Sequence, residues 1–199
     1  MGDWSKTSIC NSGLGILGKP DLVRDAESGA AQEYGIAATV VRAYDERIGR
    51  VLRSHPWNFA MARVSLDADA TAPPFGFARR FPLPSDCARV WKLDETRHGR
   101  DPKYAVEGQW LLTDETAPLL LIYIRNERNP SKFTDDFAEA LAGEIAKKSA
   151  VAVLGSLEAA DFFRKLAKED VGEAKTNDGQ ENPPQELDEG SWLRGRRTG

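Results

Sequence analysis

Cysteine, histidine and long apolar runs are what this chain has least of. Its 199 residues include two cysteines, two histidines and two methionines. Cys10 and Cys87 lie far apart and fit no metal or redox spacing, so free buried thiols in a reducing compartment are expected. His55 and His98 are isolated from each other, and His55, beside Pro56, reads as a polar group at a helix end. No apolar run approaches the ~20 residues needed to span a bilayer. The first residues, Met1-Gly2-Asp3-Trp4-Ser5-Lys6, lack the basic-then-apolar layout of a signal peptide. A soluble protein made in the cytosol, with no membrane partner, is the expectation.

Motifs of catalysis are missing as well. The chain carries no Walker loop, no H-E-x-x-H, no nucleophile elbow and no cysteine pair. Gly13-Leu14-Gly15-Ile16-Leu17-Gly18 matches G-x-G-x-x-G in letters, but a dinucleotide site needs a strand before those glycines and a helix after them. Here a helical pattern precedes and Pro20 follows, so the glycines read as a fraying helix end. Ser85-Asp86 after Pro84 is a turn signal. The carboxylates fall on helix faces or in the C-terminal stretch, where solvation is the default. No enzyme, cofactor or metal is expected. A net charge of −4 gives the whole molecule no pull toward nucleic acid.

Ordinary globular content fills the rest, with 41% hydrophobic and 29% charged residues. The organising stretch is Tyr34 to Ala60. Val40, Val41, Tyr44, Ile48, Val51 and Leu52 recur at three- and four-residue intervals, one stripe of a helix, with Arg42, Asp45, Glu46, Arg50 and Arg53 outside it. Pro56 disfavours helical dihedrals at His55 and should end it there. Trp57 and Phe59 then follow in an extended segment, pointing to one side and pinning a sheet to the helical body.

Four main helices are predicted, over about 3–17, 32–55, 134–154 and 157–171, with a sheet region over about 57–126. Gly18-Lys19-Pro20 stops the first helix. From Phe75 to Asn126 the apolar period falls to two: Phe75, Phe77, Arg79 and Phe81 alternate, as do Arg89, Trp91 and Leu93. Glu107-Gly108 marks a tight hairpin, Leu119 to Ile124 a central strand, and Glu95 to Pro102 a charged loop. Thr134 caps the third helix, with Asp135 and Asp136 in its first turn. Phe137, Leu141, Ile145 and Ser149 form its inner row, joined by Ala152 and Val153. Gly155-Ser156 leads into a fourth helix carrying Phe162, Phe163 and Leu166. The fold class is α+β: a mainly helical body with one small antiparallel sheet inserted between helices two and three.

Residues 1–171 form the body and 172–199 an extended tail. Glu169 to Glu189 holds eight acidic residues against one lysine, and Lys175 to Gly190 lacks apolar periodicity, so disorder in the free chain is expected. The last ten residues reverse the sign, with Trp192, Leu193, Arg194, Arg196 and Arg197 and no acid. An acidic tether ending in such a plug implies docking, with those five residues as the partner-binding set.

One ordered series of motifs resembles a known family. Leu17-Gly18-Lys19-Pro20 closes the first helix, and His55-Pro56-Trp57-Asn58-Phe59 closes the second. Phe81-Pro82-Leu83-Pro84-Ser85-Asp86-Cys87 runs into a strand. A Tyr-x-Val-Glu-Gly hairpin from Tyr104 leads to Leu111-Leu112-Thr113-Asp114, and an aromatic, alanine-rich helix begins at Phe133. Over roughly residues 3–155 this is similar to the tail tubular protein A, or head–tail adaptor, family of short-tailed bacteriophages and related prophages. The resemblance implies a structural virion protein, not an enzyme: a dodecameric ring beneath the portal that extends the DNA channel and receives the tail. Its implied partners are the portal ring, neighbouring adaptor subunits, a tail or nozzle protein, and double-stranded DNA passing through without sequence-specific binding. The implied location is the head–tail junction, after assembly in the host bacterial cytoplasm. A non-viral interaction module docking one partner through its tail shares the composition and remains the alternative.

Overall fold

Ser5 opens the first helix, α1 (Lys6–Ile16), with a capping box. Its hydroxyl accepts from the Ser8 N–H at 3.0 Å, and the Ser8 hydroxyl accepts from the Ser5 N–H at 2.9 Å. Gly18, at φ 68°, closes the helix: Lys19 N–H reaches the Leu14 carbonyl and Gly18 N–H the Gly15 carbonyl, the paired bonds of a Schellman motif. The computed structural model describes residues 3–28, 34–98, 102–158, 161–163, 165, 172, 174–176 and 178.

The second helix, α2 (Gly35–Ser54), buries the expected stripe, including Val40, Val41, Tyr44, Ile48, Val51 and Leu52. It ends one residue earlier than expected, at Ser54; His55 is extended ahead of Pro56. Beyond it the extended segment expected over Trp57–Phe59 is instead a 3-10 turn, Asn58–Ala60, and the first strand begins only at Met61. Trp57 is fully buried, and its indole N–H donates to the Val51 carbonyl at 2.9 Å. That bond satisfies one of the carbonyls left open at a helix C-terminus, which favours a turn over a strand here.

Six strands follow: β1 (Met61–Leu66), β2 (Arg79–Pro82), β3 (Cys87–Leu93), β4 (Tyr104–Glu107), β5 (Trp110–Thr113) and β6 (Leu119–Arg125). They form two antiparallel three-stranded sheets, ordered β1-β6-β3 and β2-β5-β4, where the sequence suggests one. Period-two alternation identifies strands but not the sheet each one joins. The hairpin turn is Gly108-Gln109, one residue past the expected pair, with Gly108 at φ 59° and Glu107 opposite Trp110. Phe75 and Phe77 lie outside β2, and Phe75 is exposed at 86%. The expected loop at 95–102 begins with a short helix, α3 (Glu95–His98).

The last long helix, α4 (Asp135–Leu154), starts at Thr134, whose hydroxyl accepts from the Phe137 N–H, and ends at Gly155 in the left-handed region. Phe137, Leu141, Ile145, Ser149 and Val153 are buried; Ala152 is exposed, contrary to its expected place on the inner row. With α3 and a further helical stretch after Ser156, where 157, 158, 161–163 and 165 are described, the helices number more than the four expected. In that stretch Phe163 packs on the core while Leu157 and Phe162 are exposed, and Leu166 is outside the described residues.

Two apolar clusters result. One joins α1, α2 and α4 with Trp57, Phe133 and Ile124. The other, built from Leu66, Phe81, Leu93, Leu111, Leu119, Leu121 and Tyr123, lies between the two sheets. Strand β6 serves both, since alternate side chains leave opposite faces: Leu121 and Tyr123 enter the sheet cluster and Ile124 the helical one. That explains its nearly continuous apolar sequence. Among the described residues no helix is long and apolar enough to cross a membrane.

Candidate docking site along the second helix

The junction after α2 holds the C-terminal region. Described residues 172, 174–176 and 178 are helical, where disorder was expected from Lys175, and Ala174 is buried. Asp178 is 2% exposed. Its carboxylate lies 2.9 Å from His55 Nε2 and accepts from the Asn58 N–H at 3.1 Å, while its carbonyl accepts from Asn58 Nδ2 at 2.8 Å. A buried carboxylate is tolerated only with such partners. His55 also meets Trp57 edge-on at 5.0 Å between centroids. The two polar residues of His-Pro-Trp-Asn thus hold the C-terminal segment, and Trp57 holds the helical core. No sequence periodicity joins Asp178 to a turn 120 residues away; only the juxtaposition of His55 and Asn58 around an apolar Trp hinted at a polar contact.

An open cleft of about 740 Å³ lies against the last turns of α2, lined by Gly49, Arg50, Arg53, Ser54, Ser85, Cys87, Ala88, Asn126 and Arg128. Among the described residues its lining includes no carboxylate. Arg50, Arg53 and Arg128 have no ion-pair partner among the described residues, whereas Lys6, Arg80, Lys132, Lys147 and Lys148 each have one. Arg89 donates to the Arg53 carbonyl at 2.9 Å, and Arg128 Nε donates to Asn126 Oδ1 at 2.8 Å. The Arg128 guanidinium comes within 3.2 Å of where a side chain on Gly49 would begin, so the missing Cβ makes room for it. Cys87 lines this cleft and is half-buried; burial and then Asp86 push its thiol pKa up.

Arg128 is shared with a second depression of about 580 Å³, lined by Trp4, Ser5, Lys6, Glu27, Tyr44, Asp45, Ile48 and residues 128–131. Its floor is apolar, and its edges carry Glu27, held by the Thr7 N–H and hydroxyl, and Asp45, paired with Lys6 at 2.8 Å. Burial pushes the Tyr44 phenol pKa up, and its hydroxyl has no partner among the described residues. Asp45, Gly49 and Arg53 are spaced four apart, one ridge of α2, so the two hollows, which share Arg128, follow each other along that ridge; together they are called the α2 groove.

Remaining polar clusters are structural. The His98 ring is buried, contrary to a charged loop: Leu120 N–H donates to its Nε2 at 3.0 Å, which leaves Nδ1 to donate toward Glu115 at 3.3 Å. Ser85-Asp86 is a turn, closed by Cys87 N–H to the Pro84 carbonyl, and Asp86 accepts from Tyr123 at 3.1 Å. Arg80 stacks on Trp110 at 4.2 Å and donates through two nitrogens to Asp69, which holds that carboxyl below its ordinary range. Gly13, within the G-x-G-x-x-G match, sits inside α1 against α4 rather than at a fraying end. Among the described residues no group of three or more His, Cys, Asp or Glu is placed to hold a metal. Trp192, Leu193, Arg194, Arg196 and Arg197 lie outside the described residues.

Compared with protein-family models and with curated proteins, the chain matches none.

Proposed function

We propose that the chain is a head–tail adaptor of a short-tailed phage or prophage. In that role it forms a homo-oligomeric, dodecameric ring beneath the portal, extends the DNA channel and offers a seat to the tail or nozzle protein. It works by assembly rather than catalysis, and the virion is its place of action. One observation carries this reading: the order of the motifs, from Leu-Gly-x-Pro through Trp-Asn-Phe and Leu-Pro-x-Asp to the alanine-rich helix. Each of them also serves as a joint of the fold, at Gly18, at Trp57, at the Pro84–Cys87 turn and along α4. Motifs spent on joints suit a structural protein better than an enzyme.

The arginines of the α2 groove and the plug residues Trp192, Leu193, Arg194, Arg196 and Arg197 are its contact equipment toward portal and neighbouring subunits. Mass photometry of the purified chain, alone and mixed with the portal ring from the same genome, tests the reading. The expected result is a portal complex enlarged by a whole ring of adaptor masses. A portal that stays unliganded at micromolar adaptor, or a reconstruction of the parent particle with this chain anywhere but between portal and tail, ends it.

A further inference from the structure

The groove along α2 and the C-terminal segment are complementary in order as well as in charge. Asp178 is held by His55 and Asn58, and His55 directly follows Arg53 and Ser54, which line the arginine cleft. The next residues, 179–189, carry Glu181, Glu186, Asp188 and Glu189 with no cation. Farther along the same ridge of α2, beyond Arg50 and Arg128, comes the depression floored by Trp4, Tyr44, Ile48 and Pro130. Farther along the chain come Trp192, Leu193 and Arg194. Anchor, acids and aromatic plug therefore succeed each other as anchor site, arginines and apolar hollow do.

The reach is sufficient. From Ser54 back to Tyr44 is ten residues of helix, about 15 Å at the helical rise. From Asp178 to Trp192 is fourteen residues, up to about 45 Å when extended. Pro183-Pro184 favours an extended course, with little chain entropy left to lose.

We infer that in the free subunit residues 179–194 lie back along α2 of their own chain. Glu181, Glu186, Asp188 and Glu189 face Arg53, Arg50 and Arg128, and Trp192 fills the hollow beside Tyr44. Asp45, on the rim of that hollow, is at hand for Arg194. The Asp178 anchor favours the chain's own tail over a neighbour's, because tethering raises its local concentration to the millimolar range. This self-docking stands on the groove and the tail alone and holds whether or not the chain is a virion adaptor. If it is one, the tail must leave the groove before it serves the ring.

Chymotryptic cleavage after Trp192 in the full chain, followed by mass spectrometry of the released peptide, tests it. Wild type is compared with Arg50→Ser/Arg53→Ser/Arg128→Ser and with Glu181→Gln/Glu186→Gln/Asp188→Asn/Glu189→Gln. The second variant leaves every described core residue intact, so the test survives if the first fails to fold. Cleavage in wild type at low salt should be roughly tenfold slower than in either variant. The difference should vanish at ~1 M NaCl, where the screening length is about 3 Å. Equal rates at low salt overturn the proposal. So does protection that grows with protein concentration, which would assign the groove to a second copy. Wild-type binding of a labelled DNA duplex that the arginine variant loses and the tail variant does not strengthen would also overturn it, in favour of nucleic acid.

Discussion

At the residue scale, Trp57 joins the end of α2 to α4. It packs edge-on against Phe137 at 5.1 Å and His55 at 5.0 Å, and its N–H ends α2 on the Val51 carbonyl. Trp57→Ala should cost about 3–5 kcal/mol by opening a cavity in the helical core. Trp57→Phe keeps most of the packing, and the Val51 carbonyl still accepts from the Ser54 hydroxyl at 2.8 Å, so losing the indole bond should cost only about 0.5–1.5 kcal/mol. Urea unfolding midpoints separate the two, and an unchanged midpoint for Trp57→Ala would move this side chain from the core to an interface. Two glycines of α1 give a sharper pair. A Cβ on Gly13 would lie 3.1 Å from Ile145 Cγ2 and 3.2 Å from the Ala142 carbonyl oxygen, whereas one on Gly15 meets nothing within 4 Å. The helix gains up to ~1 kcal/mol from either Gly→Ala change. At Gly13 overpacking against a backbone atom costs about 1–3 kcal/mol and should win. Gly13→Ala should therefore lower the melting temperature and Gly15→Ala raise it; a rise for both would mean that α1 and α4 are not this close.

At the scale of elements, the C-terminal helical segment is held through Asp178. Asp178→Ala should leave the Asn58 N–H and the His55 ring without their acceptor, at a cost of about 1.5–3 kcal/mol if the segment unfolds with the body. If the segment opens by itself, hydrogen exchange at 174–178 should quicken while α4 amides keep their protection. Unchanged exchange in both places would show that Asp178 anchors nothing. The long helices were legible in sequence because their apolar spacing is strong: Val41, Tyr44 and Ile48 in α2, and Phe137, Leu141 and Ile145 in α4, are all buried as expected. Caps at Thr134 and Gly18 were legible for the same local reason. The division into two sheets was not, since pairing β2 with β5 and β1 with β6 depends on contacts distant in sequence. Nor was the turn at Asn58, which is set by a hydrogen bond from Trp57 back to α2. The acidic run and the basic, aromatic end of the chain could be read directly as composition. The arginine groove could not, because Arg50 and Arg53 look like any solvated helix face until Arg128 arrives from beyond β6.

At the scale of the whole molecule, two cores share one strand. Because β6 supplies Ile124 to the helical cluster and Leu121 and Tyr123 to the sheet cluster, neither can loosen without disturbing the other. Such a body suits a subunit that keeps its shape while a tail does the fastening. Residues 190–199 carry the tryptophan and three of the arginines that the adaptor reading assigns to partner contact, while both cores are complete in described residues of the body and its C-terminal segment. Removing residues 190–199 should cost the folded body no more than the tail's own docking, about 1.4 kcal/mol for tenfold protection, and leave a cooperative unfolding transition. Binding should suffer far more. Truncating a Trp or Arg anchor typically costs about 2 kcal/mol or more, roughly a thirtyfold loss of affinity for a single contact. In a ring the loss recurs at every subunit. A chain lacking 190–199 should thus fold normally, fail to decorate the portal in mass photometry, and yield particles that leak DNA. Full decoration of the portal by the shortened chain would leave the plug without the role assigned to it, and the fastening would have to be sought on the folded body itself.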